Sequence, residues 1–220
     1  MARAPLLVDV AIAAQALPIV AWVAARSRSR AATAIALGSV VGGLGDIASR
    51  QLAIRFHNNH VATYIDAPMM TICFLYALRE WQVTPRERRA VTIGSALFLV
   101  GCVLLVAFLE DIGTFNFGVG PLASLALLTA GMWTLLRNAM IVEQTPLHTN
   151  DWFWASLGFA LLGAATALAS PIGGMLLEQG RIDLIDITWQ VRGVFVTAAY
   201  CLLGWGVLRG PAVSRFATVV

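Results

Sequence analysis

The stretch AVTIGSALFLVGCVLLVAFL, residues 90–109, carries no charged side chain along its whole length. An α-helix rises 1.5 Å per residue, so such a run reaches about 30 Å, the thickness of a bilayer's hydrocarbon core. No water is available there for backbone N–H and C=O groups, and a single segment satisfies them only as a helix. Outward from it, comparable apolar runs occupy residues 6–25, 31–53, 61–78, 121–142, 151–177 and 184–208, separated by short polar breaks. The expected fold class is all-α: a polytopic membrane protein, a seven-transmembrane-helix bundle, with one domain over residues 1–220.

Composition agrees with that reading. Of 220 residues, 59% are hydrophobic and 12% charged, against about 45–50% and 25% in soluble domains. All of the Lys+Arg total of 15 is arginine. Without a lysine amine there is no covalent retinal and no pyridoxal phosphate (PLP) Schiff base, and no Walker A phosphate loop. The net charge of +3 is spread over short loops rather than gathered on one face, which argues against nucleic acid. The expected partners are the lipid bilayer and protein partners within the membrane. Cys73, Cys102 and Cys201 fall inside apolar runs and read as small core hydrophobes.

Local signals refine the spans. Thr84-Pro85-Arg86-Glu87 supplies a capping hydroxyl, a proline at the first helical position and a carboxylate three residues after the cap. Asn150-Asp151 is expected to do similar work before the sixth span, and Pro121 to open the fifth. Pro18 and Pro68 should kink the first and third spans, and the sixth should break at Pro171, Gly173 and Gly174. Arg3 precedes an apolar stretch, but Asp9 interrupts it, so a cleavable signal is not expected.

Arginine sets the expected orientation, because positively charged loops stay on the cytoplasmic side. Arg26, Arg28, Arg30, Arg79, Arg86, Arg88, Arg89, Arg137, Arg209 and Arg215 fall on one side, whereas Arg3, Arg50, Arg55 and Arg181 fall on the other. This places the N-terminus outside and the C-terminus in the cytoplasm. Trp22, Trp81, Trp152, Trp154 and Trp205 then lie near the inner interface, where amphipathic rings are favoured.

Charges within spans cost about 2.5–3.5 kcal/mol at mid-membrane and need partners or water, so their depth is informative. Asp9, Asp46, Arg50, Asp66, Asp186, Trp189, Gln190 and Arg192 all fall in the outer halves of their spans. If they share an interior, they form an outward-facing polar pocket over an apolar floor. Asp46 and Arg50 are one turn apart and can pair. Arg192, the deepest charge, needs a carboxylate from Asp186, Asp66 or Asp46; a packing ion pair and an anion or proton site are both open. Gly38 and Gly42 form a small-xxx-small face that should press the second span on a neighbour and hold Asp46.

The connection after the second span, Arg55-Phe56-His57-Asn58-Asn59-His60, leads into Tyr64 and Asp66. His57 and His60 are three apart, so on one helical turn both imidazoles could face a metal, with Asp46 or Asp66 as oxygen ligand. The other reading is a helix cap. The residues do not name a cofactor.

Asn58-Asn59-His60 with Tyr64 and Pro68, and Phe153-Trp154 with Gly158, resemble a family of uncharacterised bacterial seven-helix inner-membrane proteins. That resemblance implies a multi-pass protein of the bacterial inner (cytoplasmic) membrane and carries no activity. Tyr64-Ile65-Asp66 and Asp186 with Gln190 look like the topology of a microbial rhodopsin lacking its retinal lysine.

Three functions remain in view. The first is a non-catalytic integral membrane protein: a small-ligand-binding or sensory bundle with its polar pocket outward, or an accessory subunit of an inner-membrane complex. The second is a membrane-embedded hydrolase of a lipid or amide, with His57 or His60 as base or metal ligand. The third is a proton or solute transporter along Asp9, Asp46, Asp66, Asp186 and Arg192.

Overall fold

The fold comes from a computed structural model, which describes residues 6–25, 28–56, 60–110, 118–141 and 146–210. The described residues are helical, with no strand. In chain order they form α1 (Leu6–Ala14), α2 (Ala16–Ala24), α3 (Arg30–Phe56), α4 (His60–Glu80), α5 (Pro85–Phe108) and α6 (Val119–Ile141). A 3-10 turn (Leu147–Thr149) precedes α7 (Asp151–Glu178) and α8 (Ile182–Arg209). With α1 and α2 taken together, seven helices are long and apolar enough to cross a membrane, so the chain is a multi-pass helical bundle.

Successive spans run in opposite directions, so the arginine-rich helix ends gather at one end of the bundle. Contacts there join distant parts of the chain. Trp81 Nε1 donates to Asp151 at 3.2 Å, Asn138 donates to the Trp81 carbonyl at 3.2 Å, and Gln82 donates to Thr134 at 2.8 Å. α8 packs against α7 on one flank and α1–α2 on another, while α3 packs on α4 and α4 on α6. The apolar core includes Phe74, Leu78, Phe159, Tyr200 and Leu203, with the Phe74 and Phe159 rings 4.8 Å apart. Large apolar side chains on the outer faces, such as Leu97, Val103 and Phe108 of α5, are exposed, as a lipid-facing surface requires.

Small residues set the closest approaches. A Cβ added to Gly163 on α7 would lie 2.5 Å from both the Leu128 nitrogen and the Ser124 oxygen of α6, so the two backbones nearly touch.

The α5 start behaves as its sequence predicts. Thr84 Oγ1 accepts from the Glu87 amide at 3.2 Å, and the Glu87 carboxylate accepts from the Thr84 amide at 3.0 Å, completing the capping box. Glu87 also receives Arg137 Nε at 2.7 Å, tying α5 to α6. Thr84→Ala is expected to cost about 1 kcal/mol, read as a lowered thermal midpoint in detergent.

Two expectations are corrected. The sixth span does not break: α7 runs through Pro171, Gly173 and Gly174 to Glu178. The missing proline N–H removes one bond, and a helix in lipid keeps the rest because unpaired backbone has no other partner. At the α7 start, Asn150 makes no side-chain cap; its amide donates to the Pro146 and Leu147 carbonyls at 3.4 and 3.5 Å. Asp151, the first helical residue, accepts from the Trp152 amide at 2.8 Å and so satisfies one first-turn donor.

Candidate functional site

The polar centre begins at an interruption in the first span. Pro18 has no N–H to donate to the Ala14 carbonyl, and the helix breaks at Gln15, whose amide turns back to Ile12 O at 3.2 Å. The break leaves the buried Gln15 side chain between helices, with its amide nitrogen donating to Asp46 of α3. Gln15 Oε1 is buried without a hydrogen-bond partner, at a spot where a Cβ on Gly42 would lie 3.0 Å away.

α4 faces α3 along an antiparallel set of contacts: Phe74 on Gly38, Met70 on Gly42 and Asp66 on Gly45. At Gly45 the Asp66 carboxylate fills the space a Cβ would need, which brings Asp66 close to the next residue along α3, Asp46. The Asp46 charge acts on the Asp66 carboxylate. Glycine is required at position 45 for this approach rather than for backbone freedom.

α8 contributes the rest. Tyr200 is buried, and its hydroxyl lies 3.7 Å from Met70 Sδ. Arg192, eight residues earlier on the same helix, has its Nε buried with no hydrogen-bond partner and forms no ion pair among the described residues. Asp46 is the carboxylate whose charge it feels most. Its guanidinium lies over the Trp189 ring at 5.0 Å from the centroid, and Trp189 rests against Gly173 of α7. Counted along their helices from the carboxylate-rich end, Asp66 lies about 9 Å deep, and Asp46 and Arg192 about 15 Å deep. All three are partly exposed rather than sealed.

Several sequence expectations are redistributed. Arg50 pairs with Asp9 of α1, not with Asp46. One-turn spacing permits the first arrangement, but Gln15 occupies Asp46 and Asp9 reaches Arg50 from the neighbouring helix. Both partners of that pair are about half exposed, so Arg50→Ala should shift stability by less than about 1 kcal/mol, checked by thermal unfolding. Asp186 is exposed and stands apart from Arg192; six residues rotate it about 240° around α8. Gln190 is half-buried beside Trp189.

Tyr64 is buried in the apolar core. His60 begins α4, where its carbonyl accepts from Thr63 Oγ1 at 2.7 Å. His57 and Asn59 lie outside the described residues. Among the described residues no three His, Cys, Asp or Glu side chains gather closely enough to hold a metal.

The structure therefore brings together Asp46, Asp66, Arg192 and Trp189, and adds Gln15, Met70 and Tyr200. A signal for Gln15 was present in the sequence: it is an uncharged hydrogen-bonding side chain in mid-span, three residues before a proline. Two carboxylates, a guanidinium, an amide and a phenol drawn from the first span, α3, α4 and α8 can bind a solute carrying both hydrogen-bond acceptors and donors. Comparison of the chain with family models, with curated proteins and with solved structures finds no match.

Proposed function

We propose that the protein is a non-catalytic membrane bundle that binds a small polar ligand in the recess formed by α1–α2, α3, α4 and α8. The observation that carries this reading is Arg192 Nε, a buried donor with no partner. A donor left unpaired away from water costs about 1–3 kcal/mol, and an acceptor on a ligand, such as a carboxylate, phosphate or carbonyl oxygen, removes that cost. Asp46, Asp66 and the unpartnered Gln15 Oε1 suit donors on the same molecule. Asp46, Asp66 and Arg192 lie nearer the arginine-poor end. By the arginine bias that end is the outside, with the N-terminus outside and the C-terminus cytoplasmic in a bacterial inner membrane.

The test is extraction from the native membrane in mild detergent, followed by mass spectrometry of co-purifying small molecules from wild type and Arg192→Gln. The expected result is a stoichiometric polar molecule retained by wild type and lost from a variant of unchanged helical content. An empty wild type, or an identical complement in both, overturns the proposal.

A further inference from the structure

At the opposite, arginine-rich end, a cavity of about 510 Å³ opens between α3 and α4. Its mouth carries Arg28 and Arg30, and its wall is lined by Leu37, Ile72, Cys73 and Tyr76. Both arginines are exposed, and neither forms an ion pair among the described residues. Arg28 stacks on Trp22 at 4.1 Å from the ring centroid, while Trp22 Nε1 donates to Thr33 at 3.1 Å. That chain of contacts holds the guanidinium beside the mouth. Arg30 is the first residue of α3, and Leu37 lies about 10 Å further along the helix. The groove thus grades from two uncompensated positive charges at the membrane surface to an apolar wall one to two turns deeper.

We infer that this groove is a binding site for an anionic glycerophospholipid, with its phosphate between Arg28 and Arg30 and one acyl chain along Leu37, Ile72 and Cys73. The two charges match an acidic headgroup, since a basic residue at the membrane surface is worth roughly a fivefold gain in binding to anionic lipid. A free anion leaves the apolar wall unused. A zwitterionic lipid leaves the mouth with excess positive charge. This site is independent of the polar centre, which lies at the other half of the bundle and uses other side chains.

The experiment is native mass spectrometry of the full chain in zwitterionic detergent, titrated with phosphatidylglycerol, with phosphatidylcholine, and with inorganic phosphate as competitor. Wild type should retain one phosphatidylglycerol roughly twentyfold more tightly than phosphatidylcholine. In the Arg28→Gln, Arg30→Gln double variant that preference should vanish. Leu37→Trp, a change at an exposed position, should weaken both lipids by narrowing the groove, and millimolar phosphate should leave the lipid in place. Equal retention of the two lipids by wild type, unchanged retention in either variant, or displacement by phosphate overturns the assignment.

Discussion

Gly163→Val is expected to lower the thermal midpoint of the protein by roughly 10 °C, as a loss of about 3 kcal/mol does in a chain of this size. The cause is the α6–α7 seam, where the first atom of any side chain at position 163 would meet the Leu128 nitrogen and Ser124 oxygen at 2.5 Å. These are backbone atoms, so the clash cannot be relieved by rotating a side chain. The helices must separate, and α6 and α7 both carry core residues, Leu127 and Phe159 among them. Gly94→Ala on α5 is the control: a Cβ there meets nothing within 4 Å. That change should be neutral or stabilising by up to about 1 kcal/mol through helix propensity. Comparable losses in the two variants would contradict the packing described for α6 and α7.

Arg192→Leu carries the second large effect. The Asp46 charge acts on Asp66, and two cations act on Asp46: Arg192 from α8 and Arg50 from its own helix. The guanidinium of Arg192 offsets the Asp46 charge without an ion pair and across a partly exposed space, so its removal costs about 1–2 kcal/mol. The loss should therefore shrink when Asp46 is neutralised as well. In a cycle of Arg192→Leu, Asp46→Asn and the double variant, the expected coupling is about 1–2 kcal/mol, measured by unfolding in detergent. Additive losses would mean that the two groups do not share one environment. Asn at position 46 keeps an oxygen that can accept from the Gln15 amide, so the cycle reads the charge rather than that hydrogen bond.

Much of the fold was legible because lipid leaves few choices. A run such as residues 90–109 has only helix available to it, and the seven spans follow with end shifts of a few residues, the largest at the α5 start, which extends back to Pro85. The capping box at Thr84 is local chemistry and needs no tertiary knowledge. Pro171 misled for the opposite reason: its effect depends on the lipid and helices around it, which hold α7 continuous.

Depth could be counted from the sequence, and it placed Asp46, Asp66 and Arg192 together. Azimuth could not be counted between helices. Arg50 found Asp9 on another helix, and Asp186 turned outward although it lies within a few residues of Arg192. Arg28 and Arg30 had been legible only as orientation signals; their place at the mouth of a groove needs α3 and α4 side by side.

The most direct measurement is an experimental density map of the protein extracted from its native membrane, inspected around Arg192. Non-protein density is expected with an acceptor atom within hydrogen-bond distance of Arg192 Nε, bordered by Asp46, Asp66 and Gln15. A guanidinium closed directly onto Asp46 or Asp66, with no other molecule between the helices, would contradict that expectation.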